Sequence, residues 1–423
     1  MTTDEFVTYP PNLVVIGAGP KAIAVAAKAT VLDELGLPSP KVTIIEEQAI
    51  GANWTPAGGW TDGSQRLGTS PEKDLGFPYR SSAFKGLNHH IDSAMSRFSW
   101  SSYLIAAGRY GSWIDRGRPA PKHQEWAWYL QWAIEQTNAE VLYAQAHHIS
   151  IADERWLIRC VGLAEKTGVS VTGDALMITG PGTASSEWEL HNDHVAGPAT
   201  FWNQVHNHTV PVVDRVAVIG AGETAGAILQ QMCRHDASTI SVIAPRASLY
   251  TRGEGVFENS TFTDTARWET LSIAQRRELI NRADHGVLSI RAMEELRLDT
   301  RVSHVEGRAV ALQSVTDHVV VDIDTAAGHD TWTFDYVIDA RGAQHLWMLN
   351  LFDTSVKERL EQAVGGSLTA DRIQLSIERF LSTGTMQPPL ILPTLAGLRQ
   401  GPGIPNLSCL GELSDRVCAG LVK

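Results

Sequence analysis

Two glycine-rich motifs have the spacing that binds a dinucleotide, each after a short apolar run. They read Gly17-Ala-Gly19-Pro-Lys-Ala22 and Gly220-Ala-Gly222-Glu-Thr224-Ala225. In such a motif the first glycine permits a sharp turn, the second leaves room for a pyrophosphate, and the alanine lets a helix pack on the sheet. The N-terminus of that helix faces the phosphates. The pair predicts two dinucleotides held face to face, typically a flavin and a nicotinamide that exchange a hydride.

The residue at the end of the next predicted strand distinguishes the two cofactors. Glu46 lies 27 residues beyond Gly19, where a carboxylate accepts hydrogen bonds from ribose hydroxyls. The second motif has Arg246 instead, 24 residues beyond Gly222. An arginine there pairs with a 2′-phosphate, which favours NADP(H) over NAD(H). Arg252 is the alternative partner for that phosphate.

Further blocks follow the first motif in a characteristic order. They are Gly51-Ala-Asn-Trp54, Arg66-Leu67-Gly-Thr-Ser-Pro-Glu-Lys73-Asp-Leu75, the stretches 97–104 and 252–259, and Leu413-Ser414-Asp415. With these blocks the chain resembles the flavin-dependent N-hydroxylating monooxygenases of siderophore biosynthesis. It is most similar to the lysine N6-hydroxylases of mycobactin- and nocobactin-type pathways. The resemblance covers nearly the whole chain, and the blocks around Lys73, around Asn259 and in the tail are its most specific parts.

The resemblance implies FAD on the first motif, NADPH on the second, and L-lysine and molecular oxygen as substrates. NADPH reduces the flavin, oxygen adds to give a C4a-hydroperoxyflavin, and the neutral side-chain amine of lysine attacks the distal oxygen. No protein side chain acts as nucleophile. The substrate contacts that the resemblance implies are Lys73, Asn259 and Ser414. The implied cofactor contacts are Trp54, Leu67 and Asp415 beside Gly17, Gly19, Ala22 and Glu46 for FAD, and Gly220, Gly222, Thr224 and Arg246 for NADPH.

The chemistry requires a dry, preorganised site, because a flavin hydroperoxide is short-lived in water and a lysine amine is mostly charged at neutral pH. A desolvated pocket lowers the pKa of that amine. Three positions depart from the commoner family pattern: Gly68, Asp284 and Arg341. Asp284 places a negative charge near an anionic cofactor, which weakens NADP binding unless Arg252 or Lys73 compensates. Acylated lysine, ornithine or another amine, and a flavin-binding redox regulator without turnover stay open as alternatives.

The pattern of apolar runs predicts the elements that position these residues. Strands are predicted at 12–16, 41–46, 140–143, 156–161, 175–179, 239–244, 319–323 and 333–338, helices at 125–137 and 354–382, and a linker at 180–211. We expect an α/β fold with two dinucleotide-binding (Rossmann-like) domains, the NADPH domain inserted into the FAD domain, and a small helical substrate region. The expected parts are 1–208 (FAD domain, first part), 209–345 (NADPH domain) and 346–423 (helical substrate region and return to the FAD domain).

Composition excludes several classes of function. The chain has 423 residues and a net charge of −12, which argues against nucleic acid or an anionic membrane as partner. It has no signal region and no apolar run of the ~20 residues that cross a bilayer, so we expect a soluble, cytoplasmic protein. Its four cysteines form no C-x-x-C pair, which argues against disulfide exchange. No metal site is predicted, since the histidines of 191–208 have no cysteine beside them, and homo-oligomerisation stays open.

Overall fold

The computed structural model describes residues 10–422 except 165, 185, 187, 189–193 and 343, so His191 lies outside the described residues. Within them the strands are, in chain order, β1 (Asn12–Ile16), β2 (Lys41–Glu46), β3 (Glu140–Ala152), β4 (Arg155–Gly162), β5 (Gly168–Gly173), β6 (Ala175–Ile178), β7 (Val195–Ala196), β8 (Arg215–Ile219), β9 (Thr239–Ala244), β10 (Val302–Glu306), β11 (Arg308–Val315), β12 (His318–Thr325), β13 (Gly328–Phe334), β14 (Tyr336–Asp339) and β15 (Leu390–Ile391).

The helices of the described residues follow the same order. They are α1 (Pro20–Glu34), α2 (Asn88–Met95), α3 (Trp100–Ala106), α4 (Tyr110–Asp115), α5 (His123–Ile134), α6 (Pro198–His206), α7 (Glu223–Met232), α8 (Val256–Thr261), α9 (Thr265–Thr270), α10 (Ile273–Ala283), α11 (Ile290–Leu296), α12 (Thr354–Val364), α13 (Ala370–Ser376), α14 (Gly397–Gln400) and α15 (Leu410–Leu421). None of the described helices is long and apolar enough to cross a membrane.

The first sheet has the order β15-β6-β1-β2-β3-β4-β5. Strand β1 pairs in parallel with β2 and β6, and its continuous apolar run is buried on both faces, as is usual in parallel sheets. The chain leaves this sheet after β6 and returns to it at β15, which pairs in parallel with β6. The tail therefore rejoins the first sheet.

The second sheet has the order β10-β9-β8-β14-β7, and its pairs are parallel. A separate antiparallel sheet, β11-β12-β13, packs its apolar face against it through residues such as Ala217, Ile219, Val319 and Val321. Strands with their helices thus form an α/β fold with parallel and mixed sheets. The stretch 180–211 was wrongly predicted to be a linker, because it contributes β7 and α6 to this part of the molecule.

Several predicted elements differ in extent. The single strand predicted at 333–338 is divided at Asp335, whose carboxylate accepts hydrogen bonds from the backbone N–H (2.8 Å) and guanidinium (2.7 Å) of Arg215, and β13 and β14 belong to different sheets. The predicted helix 354–382 is two helices, the first of which ends at Gly365. The C-terminal helix α15 was not predicted. It packs along α1 with Leu413 and Val417 fully buried.

Candidate functional site

The first glycine motif forms a tight turn between β1 and α1. Gly17 has φ +92°, and a Cβ atom there would lie 2.8 Å from Thr179 Oγ1. Gly19 precedes the first residue of α1, and a Cβ at this position would meet nothing within 4 Å. Ala22, in the first turn of α1, is fully buried. The turn therefore presents open space at a helix N-terminus, the arrangement that accommodates a phosphate group.

Glu46, at the end of β2, holds this turn in place. Its two carboxylate oxygens accept hydrogen bonds from the backbone N–H groups of Ala18 (2.7 Å) and Gln48 (2.8 Å). Burial raises the pKa of the Glu46 carboxyl, and the same hydrogen bonds oppose that rise. The structure thus gives Glu46 a supporting role at the motif, while its predicted contact with ribose hydroxyls stays a prediction.

The loop after the first motif contains buried polar atoms that a ligand could satisfy. Trp60 Nε1, Ser64 Oγ and Gln65 Nε2 are buried and have no hydrogen-bond partner among the described residues. Such atoms are rare in folded proteins. Because they lie within six residues of one another, they fit a bound group rich in acceptors, such as a flavin ring. The predicted FAD contacts flank this loop: Trp54 packs edge-on against His123 with ring centroids 5.1 Å apart, and Leu67 is buried.

The second glycine motif repeats the geometry of the first between β8 and α7. Gly220 has φ +122°, and a Cβ there would lie 2.6 Å from the carbonyl oxygen of Ala340. Gly222 precedes α7 and faces open space. Thr224 lies partly exposed in the first turn of the helix. This motif therefore offers a second helix N-terminus at which a phosphate fits.

Arg246 lies just beyond β9, at the carboxyl edge of the second sheet, where the sequence places it. Its Nη2 donates to the backbone carbonyl oxygens of Asn281 and His285, the latter at 2.7 Å, so the side chain is held against the end of α10. The alternative partner, Arg252, has its Nη2 3.3 Å from Asp284 Oδ1. The predicted contact of Arg246 with a 2′-phosphate stays a prediction.

Lys73 and Asn259, two predicted substrate residues, meet although 186 positions separate them. Lys73 Nζ donates to Asn259 Oδ1 (3.1 Å) and to Ser408 Oγ (3.5 Å), and it lies 5.9 Å from the centre of the Phe262 ring. Burial lowers the pKa of the Lys73 ammonium, and the nearby Arg252 lowers it further. The structure therefore forms a partly buried cationic cluster from three distant segments. Ser408 was missed, because it lies in a Gly- and Pro-rich tail without a recognisable pattern.

Ser414 and Asp415 make no described contact with this cluster. Ser414 is fully buried and its hydroxyl donates to the Gly411 carbonyl at 2.9 Å, within α15. Asp415 pairs with Lys28 at 3.5 Å and accepts hydrogen bonds from the N–H groups of Ser82 (3.0 Å) and Ala83 (3.2 Å). Both side chains are thus occupied by the protein's own framework, and their predicted substrate and cofactor contacts stay predictions.

The two charged residues that depart from the family pattern, Asp284 and Arg341, are paired. Asp284 Oδ1 accepts hydrogen bonds from Arg252 Nη2 and Asn406 Nδ2, each at 3.3 Å. Arg252 therefore balances the negative charge of Asp284, which is the compensation that NADP binding is expected to need. Arg341 forms two hydrogen bonds with the Asp339 carboxylate (2.8 and 2.9 Å), and its guanidinium stacks 3.5 Å from the centre of the Trp188 ring.

Comparisons with known proteins agree with the resemblance. Residues 90–343 match the model of the L-lysine 6-monooxygenase/L-ornithine 5-monooxygenase family. The chain is 46% identical over 415 residues to L-lysine N6-monooxygenase MbtG of Mycobacterium sp. (strain MCS), covering 96% of this chain and 94% of that protein. MbtG of Mycobacterium tuberculosis (strain ATCC 25618 / H37Rv) is likewise 46% identical, over 411 residues and with the same coverage of both chains.

Solved structures give the same relationship. Lysine Monooxygenase NbtG from Nocardia farcinica has a TM-score of 0.88 and 46% identity, covering 96% of this chain and 98% of that one. The Kutzneria sp. 744 ornithine N-hydroxylase KtzI has a TM-score of 0.75 at 16% identity, covering 98% and 99%, and shares the fold. The chain therefore belongs to the lysine/ornithine N-monooxygenase family, among its mycobactin- and nocobactin-type lysine N6-hydroxylases.

Proposed function

We propose that the protein hydroxylates the N6 atom of L-lysine with FAD, NADPH and molecular oxygen, as a step in the biosynthesis of a hydroxamate siderophore. The observation that carries the proposal is the contact of Lys73 with Asn259, which joins the two most specific blocks of the family in one partly buried cluster. The names of the relatives, which are 46% identical over most of the chain, support lysine as the substrate.

The proposed division of the chain follows the two glycine motifs. Residues 1–208 and the tail within 346–423 would hold FAD, and residues 209–345 would form an inserted dinucleotide-binding domain for NADPH. The open space at Gly19 and Gly222 supports a pyrophosphate at each motif, and the unpaired donors Trp60 Nε1, Ser64 Oγ and Gln65 Nε2 support a flavin at the first. When bound, FAD would accept a hydride from NADPH and activate dioxygen for transfer to the amine.

The cluster can hold the amino-acid end of lysine in one orientation. Asn259 Nδ2 donates to the Glu254 carbonyl at 2.8 Å, which leaves Oδ1 as the acceptor that faces Lys73. Oδ1 can accept a hydrogen bond from the α-ammonium of the substrate, while the Lys73 ammonium pairs with the α-carboxylate. The distal amine then points away from Lys73 into the site. A desolvated site favours the neutral form of that amine, which is the nucleophilic one.

Lysine is expected to be hydroxylated far better than ornithine. Ornithine lacks one methylene, so an amine anchored at its α-carbon end stops short of the reacting oxygen. A missing methylene typically changes kcat/KM by about 10–200-fold. The measurement is hydroxylated amine formed with each substrate and NADPH. Equal product from ornithine would refute lysine specificity but not the family chemistry, whereas no lysine-dependent product would favour a redox regulator.

NADPH is expected to reduce the flavin more efficiently than NADH. The guanidinium of Arg246 keeps further N–H donors besides the Nη2 bonds to α10, and a hydrogen bond to a charged group contributes about 1.5–3 kcal/mol. Arg246→Ala should therefore lower kcat/KM for NADPH about tenfold or more and leave that for NADH unchanged. Arg234→Ala, an exposed arginine just beyond the other end of α7, is the matched control. Equal use of both nucleotides by the native protein would contradict the assignment.

A further inference from the structure

Glu223 is the first residue of α7, directly after Gly222, where the proposed function places the NADPH pyrophosphate. Its side chain lies close to the 66–68 loop. Glu223 Oε2 lies 3.1 Å from the position that a Cβ atom would take at Gly68, in the block that follows the first motif. Beside it, Arg291 Nη1 donates to the Leu67 carbonyl at 3.1 Å. The Glu223 carboxylate thus stands between α7 and the 66–68 loop.

The charged groups around Glu223 balance one another in sign. Two cations, Arg252 and Arg291, favour the carboxylate, and two anions, Glu254 and Asp284, oppose it, while the 66–68 loop presents the uncharged Gly68 at this contact. Glu223 is exposed to solvent, yet protein surrounds its carboxyl group closely enough that burial raises the pKa of that group to about 7. Its charge therefore changes near neutral pH.

We propose that Glu223 is a proton-linked gate on the NADPH site, which rests on the function proposed above. The N-terminus of a helix carries roughly half a positive charge, and it cannot stabilise an ionised carboxylate and a doubly charged pyrophosphate in the same place. The ionised side chain opposes the cofactor, and the neutral side chain can remain beside it or donate a hydrogen bond to a phosphate oxygen. NADPH binding and protonation of Glu223 are then linked, so the cofactor binds with uptake of a proton.

The sign of the linkage fixes the expected pH dependence. Because Glu223 ionises as the pH rises through about 7, the affinity for the nicotinamide nucleotide falls as the pH rises from 6 to 8.5. Glu223→Gln removes the titration and keeps the shape of the side chain. It should bind NADP⁺ several-fold more tightly than the native protein at pH 8 and equally well at pH 6. Glu278→Gln, which changes an exposed carboxylate on α10 that does not act on Glu223, should retain the native slope.

The test is calorimetric titration of the FAD-loaded protein with NADP⁺ at several pH values, in two buffers of different ionisation enthalpy, which counts the protons taken up. NAD⁺ is titrated in parallel, since the 2′-phosphate of NADP⁺ takes up protons itself. The proposal expects a proton uptake near pH 7 with both nucleotides that Glu223→Gln loses. An unchanged uptake and slope in Glu223→Gln would overturn the gate alone. Failure of native protein and variant to bind either nucleotide would overturn the NADPH site and the gate together.

Discussion

Lys73→Ala is expected to lower lysine-dependent hydroxylation by about 100-fold or more, because the substrate loses a charged anchor and misplacement of a reacting group alone can cost on the order of 10². The Lys73 ammonium is held by Asn259 and Ser408 and lies over Phe262, so its direction is fixed before substrate arrives. The loss should appear in hydroxylated product, while the rate of flavin reduction by NADPH changes little. Product and NADPH-driven flavin reduction are measured separately on the same protein.

Asn259→Ala should act in the same direction, and the double variant should lose little more than the more damaged single variant, since both residues hold one end of one substrate. Lys85→Ala, an exposed lysine of the same region, is the control and should behave as the native protein. Native product yields in both single variants would show that the contact between Lys73 and Asn259 only shapes the loop. If the double variant instead shows the sum of two large losses, Lys73 and Asn259 act independently of each other.

The parts of the site that local sequence determines were predicted accurately. Strands β2 and β9 have the predicted bounds, because each is a short β-branched run closed by turn residues, and both glycine motifs turn as predicted. The motifs are local because the turn, the helix N-terminus and the close packing arise within six residues. Only the family resemblance placed Lys73 and Asn259 at the same site, since no local pattern in either block indicates that the two residues meet.

The elements and contacts that were not predicted depend on interactions between distant segments of the chain. Strand β7 is two residues long and exists because β14 pairs with it, so its sequence carries no strand signal. Helix α15 follows a Gly- and Pro-rich stretch and has Gly411 as its second residue, so its start resembles a loop in sequence, and it is stabilised by packing on α1. The closeness of the Glu223 carboxylate to Gly68 likewise follows from no local sequence pattern. A glycine motif therefore predicts its own turn and helix start more reliably than the contacts around them.

Asp415 is the residue for which the structure changes the expectation most. The family resemblance implies a contact with the cofactor, yet its carboxylate lies within the protein, 387 positions from its partner Lys28, and both side chains are almost fully buried. Lys28 Nζ also donates to Ser81 Oγ at 2.7 Å, and Ser81 donates to Asp92. The network joins α1, α2 and α15 around the loop that carries Ser82 and Ala83. Loss of this network should first lower the stability of the protein.

Lys28→Met is therefore expected to destabilise the protein by about 3–5 kcal/mol, because it leaves the Asp415 carboxylate buried without a cation. Lys28→Met with Asp415→Asn should recover part of the loss, since the neutral amide still accepts the N–H groups of Ser82 and Ala83. The measurement is the urea midpoint of the FAD-free protein, followed by tryptophan fluorescence, with the exposed Lys41→Met as control. If Asp415 served mainly to bind cofactor, Lys28→Met would leave that midpoint unchanged and weaken only FAD binding. A lower midpoint without FAD, restored in part by the double variant, would instead place Asp415 in the framework that holds α15 against α1.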